Sequence, residues 1–386
     1  MNSLRRIVAI MQKEILQIFR DNIAFVIAFL APLVLTFLVG FLYSSEKVTQ
    51  IPIVIYDQDQ SDLSRKIIRS FGDSERFSVT QMVDNYKSME QAIQDEEAQM
   101  ALVIPPHLKQ DVKEGRSSEV GVILNATNLL TMNTLANAAN QVIATISGGI
   151  TMKVMEGYGV TPSKAYQAVT ALCFRTRYWY NPGLSYLVFM LLGLIGTIIQ
   201  QVTFLGVALS FTREKEGGNW SMLRRSKLRI PEIFLGKLLV YLIIYGLDSL
   251  VVYGLAFYYF GIPMRGNIGL AFLSILLFML ALIAMGMAVS IIAQNVAQAI
   301  EISMLIAVPS FLISGYTWPQ FSMPIVIRLL SEALPLTYFL KAMKGVAYMG
   351  GGLNVIMPSL TALLVFALIF IPLTAVVLSY RMSHAK

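Results

Sequence analysis

Acidic residues that lie close together are the first candidates for a chemical role in this chain. Asp57, Asp59 and Asp62 fall within one short stretch, and carboxylates at alternating positions suit a hard cation such as calcium. The stretch lacks the glycine at position six and the glutamate at position twelve of an EF-hand loop. Acidic residues are also favoured where a strand ends and a helix begins, because they complement the helix dipole. We therefore favour a structural role and predict no metal site.

A second group of polar residues lies in long apolar segments. Asp248 is deep within one of them, where an ionisable side chain is expensive and indicates a functional or paired role. It could line a conduit, pair with a neighbouring helix or stay protonated at a packing interface. Glu301 begins another apolar segment, and the two carboxyl groups together could carry protons. Gln200 and Gln201 are candidates for a substrate path, although small and polar residues on a span usually indicate tight helix packing.

Several kinds of chemistry are excluded by what the chain lacks. Cys173 is the single cysteine, so neither an internal disulfide nor a thiol-metal cluster can form. His107 and His384 are too far apart in sequence to give the spacing of a metal site. No G-x-x-x-x-G-K-[ST] sequence occurs, so the chain has no phosphate-binding loop for ATP. We predict no catalytic residue and no cofactor bound by this chain.

The elements that must position these residues are mostly membrane helices. Of the 386 residues, 56% are hydrophobic and only 14% are charged, which exceeds the needs of a soluble core. The net charge of +7 suits loops beside anionic lipid better than a nucleic-acid surface. The predicted fold class is an α-helical polytopic membrane protein with six transmembrane helices, re-entrant helices before the last, and an inserted extracytoplasmic α/β domain. The predicted segments are a cytoplasmic amphipathic interface helix (1–22), spans at 23–43, 184–211, 233–260, 268–293, 299–313 and 354–380, the α/β domain (46–181), a cytoplasmic loop (212–232) and an outer re-entrant segment (314–352).

The orientation of the spans follows from the positions of Lys and Arg. Basic residues precede the first span and fill the loop between the second and third, and such residues resist translocation. Both termini are therefore predicted to be cytoplasmic. The long amphipathic lead-in argues against a cleaved signal peptide, and Pro32 is expected to bend the first span. The aromatic and cationic stretch 174–182 is typical of a chain that re-enters the membrane through its interface.

The polar domain between the first two spans reads as alternating strands and helices. Strands are predicted at 52–56, 77–82, 100–104 and 120–124, followed by a long helix at 129–157. This alternation predicts a small sheet with helical cover. Because no recognisable catalytic set occurs in it, we expect a binding or gating module.

A cationic island, Phe211–Tyr241, joins the second and third spans. Its charges run up to Gly217, after which Trp220, Met222 and Leu223 form an amphipathic turn. The island could simply be a loop that fixes topology. Its internal order favours a small structured element instead. Its cations are Arg213, Lys215, Arg224, Arg225, Lys227, Arg229 and Lys237.

The segment REKEGGNWSMLRRSKLRIPEIFLGK in this island resembles the cytoplasmic loop of ABC-2 type transporter permeases. In that family the loop holds a coupling helix that docks on a separate ATPase subunit, and the amphipathic N-terminal helix braces it. One departure is present, because Gly218, Asn219, Trp220 and Ser221 stand where the family most often has Gly-Thr-hydrophobic-Glu. The coupling residues implied by the resemblance are Arg213, Glu214, Lys215, Glu216, Gly217, Trp220, Leu223, Glu232, Gly236 and Lys237.

The stretch before the last span gives a second, separate resemblance. It is too interrupted by proline for an ordinary crossing and too apolar for a free loop, so we predict re-entrant half-helices buried against protein. Its order, SG-x-x-x-P, then MP, then LP-x-T-Y, is similar to the outer exit of ABC-2 permeases. Residues 56–64, 101–105 and 180–182 also match permeases with a large extracytoplasmic domain. The outer-gate residues implied are Ser314, Gly315, Trp318, Pro319, Pro324, Pro335 and Tyr338.

The resemblance implies the permease subunit of an ATP-driven exporter in a bacterial inner membrane. ATP and Mg²⁺ would be bound by the partner ATPase, and a second permease copy or paralogue would complete the path. The outer domain hints at a periplasmic membrane-fusion adaptor. We expect a hydrophobic or amphiphilic substrate, such as a drug or a lipid-like molecule. The alternatives are a proton-coupled secondary transporter using Asp248 and Glu301, which would predict internal inverted repeats, and a sensory membrane protein.

Overall fold

The computed structural model of the protein describes residues 3–44, 49–170, 177–226 and 228–384. The chain forms two compact units, one made of Met1–Glu46 with Tyr178–Lys386 and the other of Lys47–Arg177. Cys173, the beginning of the aromatic stretch at 174–176, and Lys227 of the cationic island lie outside the described residues.

The chain begins with an amphipathic helix and continues directly into the first apolar span. Helix α1 (Ser3–Arg20) buries Ile10 and Ile18 on one face and ends at Asp21, whose carboxylate accepts from the amides of Ile23 and Ala24 at 2.9 and 3.0 Å. The span Asn22–Leu42 then contains a widened turn before Pro32, because a proline ring clashes with the carbonyl four residues earlier. Its parts are α2 (Asn22–Phe25), a π-helical turn (Val26–Leu30) and α3 (Ala31–Leu42).

The unit Lys47–Arg177 is the predicted α/β domain. Its four strands have the order β2-β1-β3-β4, with β1 parallel to both neighbours and β4 antiparallel to β3. Its strands and helices are β1 (Ile51–Asp57), α4 (Asp62–Gly72), β2 (Phe77–Val83), α5 (Tyr86–Gln94), β3 (Met100–Ile104), α6 (Leu108–Lys113), β4 (Gly121–Leu124), α7 (Leu129–Gly157) and α8 (Pro162–Val169). Helix α8 was not expected from the sequence.

Side chains alternate between the two faces of this sheet and form two cores. One face carries Ile53, Met100 and Leu102, which pack under α4, α6 and the first half of α7. The other face carries Val54 and Ala101, which pack under α5. Both faces are covered, as is usual where strands run parallel. The unit is therefore a small three-layer domain.

The other unit continues with the remaining helices. Within the described residues, six helices of the chain are long and apolar enough to cross a membrane, so the protein is a multi-pass membrane protein. In α9 (Tyr186–Glu216) and α12 (Ile268–Ile292), 72% and 78% of the residues in the most apolar stretch are buried. The share is 22% in the first span, in α13 (Val296–Ile313) and in α16 (Leu353–His384), so α9 and α12 form the interior. The helices are α9 (Tyr186–Glu216), α10 (Asn219–Arg225), α11 (Ile230–Tyr258), α12 (Ile268–Ile292), α13 (Val296–Ile313), α14 (Ile325–Glu332), α15 (Pro335–Ala347) and α16 (Leu353–His384), with a 3₁₀ turn at Gln320–Ser322.

Several boundaries differ from the sequence prediction. Helix α9 continues to Glu216, so five residues expected in the loop 212–232 belong to its end, where basic side chains favour the negative end of the helix dipole. Helix α11 begins at Ile230 rather than at 233. Helix α13 begins at Val296 rather than at 299 and runs through Pro309. The last helix continues to His384 rather than ending at 380. Single-sequence patterns locate apolar cores better than polar helix ends, which explains these differences.

Candidate functional site

Four charged side chains meet where α1, α9 and α11 converge, and we call Lys13, Glu14, Glu214 and Lys237 the charge cluster. The Lys237 ammonium lies 2.6 Å from Glu14 Oε1 and 3.1 Å from Glu214 Oε1, and it also donates to the Ser210 carbonyl at 3.2 Å. Lys13 forms a second ion pair with Glu214. Through Lys13 and Glu14, α1 is thereby ion-paired to both α9 and α11.

The charge cluster is almost entirely removed from solvent. The side chains of Glu14, Glu214 and Lys237 are 3%, 1% and 1% exposed, whereas Lys13 is 47% exposed. Buried charges of this kind are stable only when paired and hydrogen bonded. Two cations balance two anions, and the Tyr241 hydroxyl donates to Glu14 Oε2 at 3.2 Å. Among the described residues Glu214 Oε2 has no hydrogen-bond partner. The buried carboxylates therefore depend mainly on the buried Lys237, because Lys13 is half exposed.

Gly236 explains why α1 can come so close to α11. A Cβ at this position would lie 2.8 Å from Ile10 Cγ2 and 2.9 Å from Ile10 Cβ, which real side chains do not tolerate. The glycine thus permits the helix crossing, and the adjacent Lys237 supplies the charge that joins the helices. Gly236 therefore provides the space for the crossing of α1 and α11, and Lys237 provides the ion pairs across it.

Two further ion pairs attach the ends of α1. Arg213 lies 2.6 Å from Asp21 Oδ2, just beyond the end of α1, and Arg6 lies 3.5 Å from Glu232 Oε2. Glu232 also accepts from the backbone amide of Arg229 at 2.9 Å, so it caps the start of α11. Helix α1 is therefore attached to α9 and α11 along its whole length.

The last turn of α9 also reaches the connection between α12 and α13. The Lys215 ammonium donates to the carbonyls of Ser290, Ile291 and Ala293 at 3.0, 2.7 and 2.7 Å. The Glu216 carboxylate accepts from the amide of Val296 at 2.8 Å. These contacts satisfy backbone groups that a helix end leaves unpaired. Movement of this turn would consequently be transmitted to two more spans.

The short helix α10 lies between these two attachments. Gly218, with φ of +72°, allows the sharp reversal after Gly217. Half-buried Trp220 packs edge-on against Phe211 with centroids 6.2 Å apart. Leu223 is half-buried on the same core. One face of α10 is therefore anchored.

The opposite face of α10 is exposed. Met222 is 70% exposed, and Ser221 and Arg225 are exposed beside it. Met222 was not singled out as a coupling residue from the sequence, although its helical position opposite the anchored residues indicates it. Glu214, Glu232, Gly236 and Lys237 instead lie inside the protein, where they join α1, α9 and α11 and form no outer surface.

Comparisons with known proteins identify the family of this chain. A family model described as ABC-2 family transporter protein matches residues 23–376. The chain belongs to the ABC-2 transporter family. This ABC-2 permease is accordingly a transport subunit and not an enzyme.

Relatives of the permease share its full length at low identity. It is 28% identical over 377 residues, 94% of each chain, to the inner membrane transport permease YhhJ of Escherichia coli (strain K12). It is 24% identical over 360 residues, 93% of this chain and 94% of the relative, to the probable multidrug ABC transporter permease YbhR of the same strain. It is also 23% identical over 389 residues, 95% and 97% of the two chains, to the linearmycin resistance permease protein LnrN of Bacillus subtilis (strain 168).

The proline-rich segment of the permease before α16 contains short helices. Pro319 and Pro324 each precede one, and Pro335 begins α15, because proline suits the first position of a helix. Ser314 is 2% exposed and donates to the Phe311 carbonyl at 2.7 Å. Gly315 has φ of +85°, which permits the turn out of α13. The backbone of this segment is thus tightly specified.

The other side chains expected at the outer gate are less enclosed. Trp318 is 58% exposed, and half-buried Tyr338 lies against Phe366 with ring centroids 6.0 Å apart. The strongest attachments of the segment come from two tyrosines outside the implied gate set. Tyr316 donates to the Phe189 carbonyl at 2.6 Å, and Tyr348 donates to the Val188 carbonyl. Both ends of the segment are therefore attached to the start of α9.

Of the four polar residues expected to act within the spans, two are buried and two are exposed. Gln200 is 2% exposed and its Oε1 has no partner among the described residues, whereas the adjacent Gln201 is exposed. Asp248 is 8% exposed and Glu301 is exposed, and neither forms an ion pair in the described part of the chain. Within the described residues, no hydrogen bond joins any two of these four side chains. The structure therefore does not assemble them into one site.

The acidic stretch of the α/β unit forms a turn. Asp57 accepts from the amides of Asp59 and Gln60, each at 3.0 Å, and from the Ser64 hydroxyl at 2.7 Å. Asp62 pairs with Lys109, whose hydrogen bond holds the pKa of that carboxyl below its usual range. Among the described residues no group of three His, Cys, Asp or Glu is suited to hold a metal ion. These carboxylates connect β1 to α4.

Proposed function

We propose that this chain is the permease subunit of an exporter driven by ATP hydrolysis on a separate subunit. The observation that supports this most is the exposed face of α10, presented by a helix whose other face is anchored beside the buried charge cluster. Because one face of α10 is anchored on the protein core, a partner that binds the exposed Met222 on the other face can move the helices to which α10 is attached. Both termini and α10 would face the cytoplasm, where the basic residues of the island predict them to lie.

The mechanical path follows from the contacts around α10. A docked ATPase would hold ATP and Mg²⁺ at its own sites, and its closure would displace α10. Because Lys237 joins α11 to Glu14 on α1 and Glu214 on α9, these three helices would move together. Lys215 would carry the same movement to the end of α12. The displacement would then act on the outer segment through the far end of α9, where Tyr316 is attached.

A second permease copy or paralogue would complete the path. Gln201 on α9 and Glu301 on α13 are exposed on apolar helices, where contact with lipid would be costly. A symmetric partner or a water-filled path between two copies removes that cost. The segment from Ser314 to Tyr338 would then form re-entrant helices at the outer exit. The names of two relatives, a probable multidrug permease and a linearmycin resistance permease, support outward movement of a hydrophobic or amphiphilic molecule. The α/β unit would contact a periplasmic adaptor.

The test compares two exposed methionines. Met222→Asp places a charge on the exposed face of α10, whereas Met82→Asp does the same in the α/β unit, where Met82 is 59% exposed. Each variant is co-purified with the ATPase encoded beside it, and both assembly and ATP hydrolysis are measured. We expect Met222→Asp to reduce assembly by about tenfold or more, the size of effect that a desolvated charge has at an interface. Met82→Asp should match wild type. Equal assembly by Met222→Asp would show that α10 is not the docking surface.

A proton-coupled transporter is the second candidate, and Asp248 is the observation in its favour. Its carboxyl is 8% exposed within a span and has no ion-pair partner among the described residues. This candidate predicts that Asp248→Asn and collapse of the proton gradient each abolish transport in vesicles. The ATP-driven account predicts instead that transport follows ATP and persists without the gradient.

A further inference from the structure

A cavity in the α/β unit has no part in the function proposed above. It has a volume of about 470 Å³ and lies between α4, α6 and the second half of α7. Small-molecule sites typically measure roughly 300–1,000 Å³ and are lined mainly by apolar side chains. The aliphatic lining includes Ile67, Leu108, Ile143, Ile146, Ile150 and Val154. The cavity has the size and character of a ligand site.

The lining arises because α7 is longer than the sheet core that it covers. Its first half buries Leu135 and Ala139 against that core. Its apolar stripe then continues through Ile146, Ile150 and Val154, which are half-buried and line the cavity. Residues three and four apart lie on one helix face, so the stripe presents a continuous apolar wall. Such a wall is suited to the apolar body of a ligand.

The rim of the cavity is polar, and its cation, Arg116, is already paired. Arg116 Nη2 lies 2.9 Å from Asp111 and 2.6 Å from Glu114, so its charge is neutralised within the unit. Ser117 and Ser147 lie beside the apolar wall, and their hydroxyls make no hydrogen bond in the described part of the chain. Hydroxyls can both donate and accept. The rim therefore favours a neutral molecule that offers a hydroxyl or carbonyl group.

We propose that this cavity binds a neutral amphiphilic small molecule. Its apolar body would lie along α7, and its polar group would hydrogen bond at the serine rim. An anionic headgroup would find no free cation there and would lose its hydration. The proposal concerns residues of the α/β unit alone, so it is independent of ATPase docking and of the direction of transport.

Photoaffinity labelling of the full chain in native membranes tests this proposal. The probe is a long-chain alcohol bearing a diazirine, and mass spectrometry locates the labelled residues. We expect saturable labelling within 143–155 that an excess of the unlabelled alcohol prevents. Ile146→Arg should reduce it by about tenfold or more, because an unpaired cation is costly in an apolar cavity. Ala144→Arg, an exposed position on the opposite face of the same helix, should leave it unchanged.

A second variant tests the site by filling it with apolar volume instead of placing a charge in it. Ile150→Trp fills the cavity with a larger apolar side chain and should also abolish labelling of 143–155. Labelling of the apolar spans by the same probe reports in each sample that the chain is present and inserted. Unsaturable labelling of 143–155, or equal labelling in the wild type, Ile146→Arg and Ile150→Trp, would overturn the proposal.

Discussion

Removal of the buried cation is the sharpest test of the charge cluster. In the variant Lys237→Met the ammonium that lies 2.6 Å from Glu14 and 3.1 Å from Glu214 is replaced by an apolar side chain of similar length. Breaking a buried ion pair by removing one partner costs about 3–5 kcal/mol, since it leaves an uncompensated charge. Lys13→Met is the matched control, because Lys13 contacts the same Glu214 but is 47% exposed. An exposed pair contributes only about 0–1 kcal/mol.

The measurement is the apparent melting temperature of the purified chain, taken at one heating rate because membrane proteins commonly unfold irreversibly. A loss of 1 kcal/mol lowers the melting temperature of a chain of this size by about 2–4 °C. Lys237→Met should therefore lower the melting temperature by on the order of 10 °C, and Lys13→Met should lower it by a few degrees at most. The double variant Lys237→Met with Glu14→Gln removes one charge of each sign and should recover at least half of the loss. Equal effects of the two lysine variants, or no recovery in the double variant, would refute the role assigned to the cluster.

Three further substitutions test the neighbouring contacts. Gly236→Ala should lower the free energy of unfolding by about 1–3 kcal/mol, because the added Cβ forces α1 away from α11. Gly246→Ala on the same helix is the control, since a Cβ there meets nothing within 4 Å, and it should leave the melting temperature unchanged or raise it. Lys215→Met removes three hydrogen bonds to the end of α12 and should lower stability by about 1.5–3 kcal/mol, with faster amide exchange at the connection to α13. Tyr348→Phe removes the hydrogen bond to Val188 and should speed amide exchange in the first turns of α9, and unchanged exchange would show that the outer segment is held elsewhere.

The apolar spans and the small α/β domain could be predicted because their patterns are strong. Long uncharged runs have few alternatives to membrane helices, and alternating short strands and helices bounded by turn residues predicted the unit Lys47–Arg177. Helix α8 was missed because eight residues give too short a periodic pattern.

The coupling region shows what a single sequence does not contain. The motif drew attention to Glu214, Gly236 and Lys237, but spacing alone cannot reveal that Glu14, more than 200 positions away, completes their buried network. A charged residue in a loop-like segment is ordinarily solvated, so the sequence indicated a surface role where the structure shows burial. Met222 was placed in the amphipathic turn but left out of the coupling set, because the sequence does not show which face of the short helix α10 is exposed.

Site-specific photo-crosslinking tests the central claim most directly. Benzoyl-phenylalanine replaces Met222 in one sample and Met82 in another, both being exposed positions, and the cells contain the neighbouring ATPase. The account predicts a covalent adduct with the ATPase from position 222 and none from position 82. If position 222 gives no ATPase adduct although the chain is inserted and assembled, the claim that α10 couples this permease to its partner is contradicted.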